Sequence, residues 1–485
     1  MEQEHNLGFA FLRKAADIPS SVALRAPTQQ MTYDQLRTRV IRYALHLKWR
    51  GIGRHSCVAL DTNRAPEGMA LPLALALVGA RWVRLSSETL FGPLGVTDML
   101  SLARRPGVPP RNFHVVDESW IQPPPGIDLS KPVGFEGYGS ENDTAIFTQS
   151  SGTTGRVKFM AKSYRRLWIQ ASMSLKQWAL ARDCTTVFNG FPPLSGVGFH
   201  MTAQTLLRGG CIVVGAEDVR QLKAMGTQHV FASPARIEVL CKNIPPLENR
   251  MLLLTAAGAM MNRSLIRHWL QYFEQVGLGY GSQEAWRGGS AILSAVPDAD
   301  TISYDLEDDV TVEIVDAGGT SLPANTVGTI RIKTPEMVHE YVAAPEASAE
   351  AFRDGWFYPG DLGSISEDSR LSVHGRVKDQ FNFGGVKANA ADVDEVSTRP
   401  AEVQAAVSFA RTTDSGLDEL CVLAVLAAGA SPERAAEQIR QSCRSLRGQD
   451  LIPGAVFFAD HLPLNENGKP MRETAREMSA SLPAY

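Results

Sequence analysis

The chain has 485 residues, of which 44% are hydrophobic and 21% are charged. This length allows two or more domains with a large buried core, and the composition is typical of a soluble globular protein. The 48 basic and 52 acidic side chains give a formal net charge of -4. That balance argues against a nucleic-acid partner, because proteins that bind nucleic acids normally carry a basic excess or stripe.

The first hundred residues predict a cytoplasmic protein without a membrane span. Residues 1–5 are polar and acidic, whereas a signal peptide carries positive charge followed by an apolar run. The apolar stretch 71–80 is closed by Arg81 and Arg84, well short of the roughly 20 residues that a span needs, so we expect a buried helix and turn. The cysteines form no Cys-x-x-Cys pair, which predicts buried thiols and neither a metal cluster nor a disulfide framework.

Through the first 300 or so residues, apolar β-type runs alternate with helical patterns. The runs are residues 57–60, 145–147, 211–214, 229–231 and 251–254. Such alternation predicts layered α/β structure with largely parallel sheets. Segments 310–315 and 328–333 then alternate with period two, which is typical of half-exposed antiparallel strands and predicts a small barrel or sheet.

A smaller C-terminal unit is predicted to begin near residue 378. It has strand candidates at residues 403–407 and 420–425, and a helix with Ser431 as its cap and Pro432 in its first turn. The predicted fold class is therefore α/β, with domains at residues 1–377 and 378–485. The first contains layered α/β subdomains and a small β-barrel-like subdomain, and the second is a small, mobile α+β domain.

The loop at residues 148–158 concentrates hydroxyls, glycines and a cation after the apolar run 144–147. Backbone amides at such a strand end can form an anion-binding nest, and glycines let phosphate oxygens approach the backbone. The loop differs from a Walker loop, because Gly152, Gly155 and Lys158 are each three residues apart. Taken alone, a Ser/Thr/Gly stretch is also typical of an ordinary flexible loop.

Four further blocks follow this loop. They are Tyr-Gly-Ser-Gln-Glu at residues 280–284, Gly-Trp-Phe-Tyr-Pro-Gly-Asp at 355–361, Gly-Arg-Val-Lys-Asp at 375–379 and Leu-Pro-Leu-Asn-Glu-Asn-Gly-Lys at 462–469. In this order and spacing, the blocks resemble the adenylate-forming superfamily of acyl-CoA synthetases, nonribosomal-peptide adenylation domains and luciferases, and are nearest to acyl- or aryl-CoA ligases. The resemblance covers nearly the whole chain, including segments 31–36 and 328–341.

The resemblance implies a two-step ligase. ATP would activate a small carboxylic acid as an acyl-adenylate with release of pyrophosphate, and the acyl group would then pass to a phosphopantetheine thiol. The acceptor would be coenzyme A or an acyl or peptidyl carrier protein, and Mg²⁺ would be required. Two alternatives stay open: a stand-alone amino-acid adenylating domain for peptide assembly, and a nucleotide-binding protein without catalytic activity.

The resemblance also assigns roles to individual residues. Glu284 and Thr154 would hold Mg²⁺, Asp361 and Arg376 would bind the ribose, and Tyr280 would lie against adenine. Catalysis would depend on Lys469, Lys158, Thr154 and Glu284. The full nucleotide pocket would comprise Ser150, Ser151, Gly152, Thr153, Thr154, Gly155, Lys158, Gly258, Tyr280, Gly281, Ser282, Gln283, Asp361 and Arg376. Lys378 would be a hinge for the small domain, and Gly384 and Gly385 would line a thiol tunnel, although a double glycine is also simply a turn.

The acyl pocket is assigned to Ser195, Gly196, Val197 and His200. Gly196 stands where acyl-CoA synthetases usually carry a histidine, and His200 is equally a candidate core residue. Amino-acid-activating domains place an aspartate near here to pair the substrate ammonium, and none is present. Because a buried ammonium without a partner is costly, we expect a fatty, aryl or other uncharged-tail acid.

Three further positions depart from the family pattern. Gln283 replaces the usual threonine before Glu284, and Val157 and Phe159 replace the proline and glycine that flank Lys158. An amide N–H of Gln283 could replace the lost hydroxyl contact to phosphate. These departures favour a specialised biosynthetic ligase.

Overall fold

The computed structural model describes most of the chain. The described residues are 3–62, 64–84, 91–103, 112–128, 134–150, 158–177, 184–258, 261, 263–297, 301–377, 380–383, 386–412, 418–444, 446, 452–464 and 470–485. Within these ranges, no helix combines the length and the apolar character that a membrane crossing needs. The six cysteines all fall within these ranges and are buried free thiols.

The strands and helices are numbered here in chain order. The strands are β1 (Val22–Ala26), β2 (Gln29–Thr32), β3 (Cys57–Asp61), β4 (Arg81–Arg84), β5 (Asp98–Ser101), β6 (Phe113–Val115), β7 (Thr144–Ser150), β8 (Lys158–Ser163), β9 (Thr186–Asn189), β10 (Cys211–Val213), β11 (His229–Ala232), β12 (Met251–Ala256), β13 (Phe273–Tyr280), β14 (Gly289–Leu293), β15 (Ser303–Leu306), β16 (Thr311–Val315), β17 (Gly328–Lys333), β18 (Phe352–Arg353), β19 (Trp356–Phe357), β20 (Asp361–Ile365), β21 (Arg370–Arg376), β22 (Gln380–Phe383), β23 (Val386–Asn389), β24 (Val403–Thr412), β25 (Asp418–Leu426) and β26 (Ala455–Phe458). The α-helices are α1 (Leu7–Asp17), α2 (Tyr33–Trp49), α3 (Glu67–Val78), α4 (Phe91–Leu94), α5 (Tyr164–Gln177), α6 (Gly196–Leu207), α7 (Val219–Ala224), α8 (Pro234–Cys241), α9 (Arg263–Trp269), α10 (Pro345–Ala351), α11 (Ala390–Ser397), α12 (Pro432–Arg444) and α13 (Arg472–Ser479).

Two large sheets carry the predicted alternation of strands and helices. One has six strands in the order β6-β5-β3-β4-β7-β8, and the other includes the run β13-β12-β11-β9-β10-β1. Every neighbouring pair within that run is parallel, as are all pairs of the six-stranded sheet except the β7–β8 hairpin. The prediction of largely parallel sheets in layered α/β structure is confirmed.

The period-two segments form antiparallel strands, as predicted. They do not close into a separate barrel within the described ranges. Strand β14 pairs with β13 and β15, β15 pairs with β21, β21 pairs with β20, and β20 pairs with β17. The expected barrel-like subdomain is therefore an antiparallel extension of the large sheet. A separate barrel would have to pair its own edge strands with each other. Here β14 and β15 join the edge of β21 to the large sheet instead, so within the described ranges that edge is not available to close a barrel.

The apolar stretch near residue 75 forms a buried helix, as predicted. Helix α3 buries almost every residue and contains Pro72 in its interior. It packs with α1 and α2 in one hydrophobic core. The helix ends at Gly79, which has φ 76° and donates its N–H to the carbonyl oxygens of Leu75 and Ala76.

The C-terminal unit has its own sheet and core. Strands β24, β25 and β26 form a three-stranded sheet, and α11 and α12 contribute to a core that is distinct from those of the large sheets. The hydroxyl of Ser431 accepts the N–H of Arg434 at 3.4 Å, and Pro432 opens α12, as the cap signal predicts. Residue 378 lies outside the described ranges, so the position of the domain boundary stays a prediction.

We predict that Gly79→Ala lowers the midpoint of thermal unfolding more than Gly51→Ala does. Both glycines have φ 76°, so each alanine carries left-handed strain of about 1–2 kcal/mol. A Cβ at Gly79 would also overlap the carbonyl oxygen of Gly137, whereas a Cβ at Gly51 would meet nothing within 4 Å. Equal shifts in a thermal scan would show that the contact with Gly137 does not constrain the turn.

Candidate active site

One cleft of about 650 Å³ brings the predicted site residues together. Every predicted site residue that the structure describes lines it: Ser150, Lys158, Ser195, Gly196, Val197, His200, Gly258, Tyr280, Gly281, Ser282, Gln283, Glu284, Asp361 and Arg376. The remaining predicted residues lie outside the described ranges: Ser151, Gly152, Thr153, Thr154, Gly155, Lys378, Gly384, Gly385 and Lys469. The cleft lies where the end of the β7–β8 hairpin faces the carboxyl ends of β11, β12 and β13.

The phosphate-loop end of the cleft is built on a hairpin. Ser150, the last residue of β7, pairs directly with Lys158, the first residue of β8, so the loop leaves a strand end as predicted. Thr148 shares the strand face of Ser150, and its buried hydroxyl has no hydrogen-bond partner within the described ranges. Hydroxyls beside a lysine are donors that suit an anionic ligand.

Tyr341 connects the hairpin to Glu284. The Lys158 ammonium lies 4.8 Å from the centroid of the Tyr341 ring, within the range of a cation–π contact. The Tyr341 hydroxyl donates to Oε1 of Glu284 at 2.9 Å. Burial, together with the charge of Glu284, raises the pKa of Tyr341. The phenol therefore stays protonated at neutral pH and acts as the donor.

Glu284 is a nearly buried carboxylate, with 7% of its surface exposed. Its backbone is fixed by the segment that follows β17: Val338 donates its N–H to the Glu284 carbonyl at 2.9 Å, and the Thr334 hydroxyl donates to the Ala285 carbonyl at 2.9 Å. A buried carboxylate on a cleft wall requires compensating donors or a cation. The residue types and their placement fit a divalent cation that prefers oxygen ligands.

At the opposite end of the cleft, the Asp361 carboxylate contacts Arg376 and Tyr280. Asp361 and Arg376 are directly paired across β20 and β21, and Nε of Arg376 lies 3.2 Å from Oδ1 of Asp361. The Tyr280 hydroxyl donates to Oδ2 of the same carboxylate at 2.8 Å. Burial, followed by the charge of Asp361, raises the pKa of Tyr280 well above its usual value, so this donor is also fixed.

A channel runs along α6 toward the amino ends of the parallel strands. Val197, His200, Met201, Gln204 and Arg208 line it from one helix face, which spans about 16 Å at 1.5 Å per residue. Strands of the large sheet supply the facing wall with Val187, His229, Phe231 and Thr255.

Ser195 begins the channel as the cap of α6. Its hydroxyl accepts the N–H of Gly198 at 3.0 Å and donates to the Pro192 carbonyl at 2.8 Å. The side chain therefore satisfies an otherwise free helix N–H. Ser195 lines the predicted pocket, but its hydroxyl already has both partners.

Two histidines in the channel wall are held neutral. Burial, together with the nearby charge of Lys162, lowers the pKa of His200 to about 3, and its Nδ1 donates to the Gly196 carbonyl at 2.5 Å. Burial and the charge of Arg208 lower the pKa of His229 to about 3, and its Nε2 shares a 2.8 Å hydrogen bond with the Thr255 hydroxyl. His200 is thus both a buried residue and a lining residue of the channel.

Several residues around the cleft are absent from the sequence-based assignment, and four of them make contacts that matter for the site: Thr148, Lys162, Trp286 and Tyr341. Thr148 could have been found from strand periodicity, because it lies two residues before Ser150. Tyr341 belongs to a segment that resembles the family but carries no assigned role. Lys162 and Trp286 give no sequence signal of their own, because their importance comes from packing between separate elements.

The departure at Phe159 has a packing explanation. Phe159 is 4% exposed and belongs to a hydrophobic cluster that includes Cys57 and Phe147. Its backbone carbonyl accepts the N–H of Val342 at 2.8 Å. The large side chain at this position therefore anchors β8 to the segment that carries Tyr341. Val157 lies outside the described residues.

The chain is similar in sequence to known enzymes. A family profile described as "AMP-binding enzyme" matches residues 114–342. Over these residues the chain is similar to AMP-binding enzymes. It is 23% identical to a 3-hydroxybenzoate–CoA ligase of Aromatoleum sp. (strain CIB), over 96% of this chain and 94% of that enzyme. It is 27% identical to probable acyl-activating enzyme 8 of Arabidopsis thaliana, over 71% of this chain and 67% of that protein.

Solved structures of adenylate-forming enzymes share the fold. ATP-bound MatB from Rhodopseudomonas palustris aligns with a TM-score of 0.84 at 21% identity. The alignment covers 98% of this chain and 99% of that chain. The α/β fold class is confirmed by this similarity.

We predict that His229 makes the protein less stable as the pH falls from about 6.5 toward 3. The folded-state pKa of about 3 lies below the ordinary value of 6.5, so the unfolded chain binds more protons in this window and the free energy of unfolding falls. His229→Gln removes the contribution of His229 to this loss of unfolding free energy. The variant should therefore lose less of its thermal midpoint between pH 7 and pH 4 than the unchanged protein does.

The exposed His55 provides the matched control. His55→Gln should leave the pH dependence of the thermal midpoint as it is in the unchanged protein, because this ring lies in solvent. If His229→Gln showed the same pH dependence as the control, the ring of His229 would not be held neutral by burial.

Proposed function

We propose that the protein uses ATP to activate a carboxylic acid as an acyl-adenylate, releases pyrophosphate, and transfers the acyl group to a phosphopantetheine thiol of coenzyme A or a carrier protein. The observation that carries this proposal is the single cleft, which unites the phosphate-loop end, the Asp361–Arg376 pair and the α6 channel. The similarity to CoA ligases and acyl-activating enzymes supports the same reaction.

The nucleotide would lie between the two ends of the cleft. Lys158 and the hydroxyls of Ser150 and Thr148 would bind phosphate oxygens, and the Asp361 carboxylate would accept hydrogen bonds from the ribose. Arg376 and Tyr280 hold that carboxylate in place. Because these groups are fixed before the substrate arrives, they stabilise developing charge without reorganising during the reaction.

Glu284 and Thr154 would hold Mg²⁺. When bound, Mg²⁺ would neutralise phosphate charge and orient the phosphates for displacement of pyrophosphate. Tyr341 orients the Glu284 carboxylate by donating to one of its oxygens. Gly258, Gly281 and Ser282 would complete the nucleotide pocket with Gln283 and the residues of the phosphate loop.

The α6 channel supports an aryl or other uncharged-tail acid as the substrate. None of the described cleft residues on α6, β9, β11 or β12 is acidic, so that wall offers no partner for a substrate ammonium. Phe191 and Phe231 form a tilted pair with ring centroids 5.2 Å apart, which suits a flat ring. The relative that is named as a 3-hydroxybenzoate–CoA ligase supports the aryl class.

The C-terminal unit would complete the catalytic cycle. Lys469 would contact the reacting carboxylate and the α-phosphate in the first step. The small domain would then turn about Lys378 and bring the loop of Gly384 and Gly385 beside the thiol arm. Domain closures of this type assemble one active site and then take it apart for the next reaction.

Pyrophosphate exchange with a panel of acids tests the proposal. With ATP and Mg²⁺, we expect labelled pyrophosphate to enter ATP in the presence of an aryl or uncharged-tail acid and not with α-amino acids. Exchange with amino acids alone would favour an amino-acid adenylating domain. ATP binding without exchange for any acid would favour a non-catalytic nucleotide-binding protein. Product formation with coenzyme A, compared with a carrier protein, identifies the acceptor.

We predict that Glu284→Gln lowers the rate of exchange by about 100-fold or more, because an amide cannot supply the negative charge that a divalent cation requires. Raising the Mg²⁺ concentration should recover part of the loss. Glu340→Gln is the matched control, since Glu340 is an exposed carboxylate close to Tyr341 in sequence. Equal rates for the two variants would contradict the metal role of Glu284.

A further inference from the structure

Lys162 is a fully buried lysine directly behind the wall of the cleft. It lies four residues after Lys158 on β8 and has no exposed surface. Its Nζ donates to Oε1 of Gln283 at 3.1 Å and lies 5.3 Å from the centroid of the Trp286 ring. Burying an ammonium is costly unless it is paired. A lysine at this position therefore depends on the groups that surround its ammonium.

The contact with Lys162 determines which way the Gln283 amide faces. An ammonium has three donors and no acceptor, so the amide must present its oxygen to Lys162 and its N–H groups to the other side. Gln283 lines the cleft and is partly exposed. Within the described ranges, its amide nitrogen has no hydrogen-bond partner.

Gly196 provides the space in which this amide lies. A Cβ at Gly196 would overlap Oε1 of Gln283 and lie 2.8 Å from its Cδ. A side chain at residue 196 would therefore displace the amide. The two positions that depart from the family pattern are in direct contact, and the missing side chain at one accommodates the longer side chain at the other.

Gln283 also stands where the two halves of the cleft meet. It precedes Glu284 at the phosphate end and packs against Gly196, the first residue of helix α6. A carboxylic acid whose tail occupies the channel would place its reacting carboxylate near these two residues. An amide N–H at this point is a donor for a carboxylate oxygen.

We propose that Lys162 is a positioning residue that orients the Gln283 amide so that its N–H donates to the reacting carboxylate of the acid substrate. This inference rests on the proposed function and adds a residue to it. Lys162 itself does not touch the substrate, because Gln283 and Trp286 separate it from the cleft. Its charge acts through the amide, which it both orients and polarises.

A purely structural role for Lys162 makes a different prediction. Glu284 is the buried carboxylate whose charge acts on Lys162, so Lys162 could serve only to balance that charge. In that case, loss of the lysine would lower kcat by the same factor whichever residue stands at position 283. The two roles are therefore separated by measuring whether the effects at positions 162 and 283 depend on each other.

A double-mutant cycle between Lys162→Met and Gln283→Thr tests the proposal. Methionine keeps the length of the side chain and removes the donor, while threonine restores the residue type that the family usually has. We expect Lys162→Met alone to lower kcat of acid-dependent pyrophosphate exchange by about 10-fold or more, because a misplaced donor loses its effect in the transition state. The KM for ATP should change less than kcat does.

In the Gln283→Thr background, Lys162→Met should cause no further loss of kcat, because no amide remains to be oriented. Lys333→Met, which removes an exposed lysine from the end of β17, is the control for loss of a positive charge. Thermal unfolding of all variants shows whether each is folded.

The outcomes separate this inference from the proposed function. If Lys162→Met lowers kcat equally in both backgrounds, or has no effect in either, the positioning role is wrong while the ligase function stands. If the unchanged protein catalyses no exchange with any acid, the proposed function is wrong, and this inference fails with it.

Discussion

The buried carboxylate of Glu284 is the group on which the rest of the site depends. It lies at 7% exposure in a wall built from two sheets, where an isolated charge would be costly. Tyr341 donates to it from the segment after β17, and that segment is joined through Val342 to the β8 strand that begins with Lys158. The contacts that position the Glu284 carboxylate therefore also connect the β8 strand to the segment after β17.

The positions that depart from the family pattern become understandable as contacts. Phe159 fills a hydrophobic cluster under β8, and Gln283 occupies the space that Gly196 leaves open. Neither substitution could be interpreted from its own sequence neighbourhood, because each partner comes from a distant part of the chain. Sequence variation at an active site is easier to interpret in spatial pairs than in single positions.

The sequence predicted the fold well where local periodicity decides structure. Buried parallel strands such as β11 and β12 are short apolar runs that the sequence shows directly. The site roles of Tyr280 and Glu284 came instead from the resemblance to the adenylate-forming superfamily. The continuation of the sheet through β14 and β15 was missed, since it depends on pairing between strands distant in sequence. Lys162 was missed for the same reason, because its burial comes from Trp286 and not from its neighbours in β8.

Lys158 and Lys162 show how position on one strand separates two chemical roles. Lys158 stays partly exposed at the start of β8 and carries its charge over the Tyr341 ring. Burial lowers the pKa of Lys162 to about 7, although the charge of Glu284 opposes the shift. A substrate phosphate can meet only the first lysine directly. The second can act only through the side chain that covers it, and that side chain is Gln283.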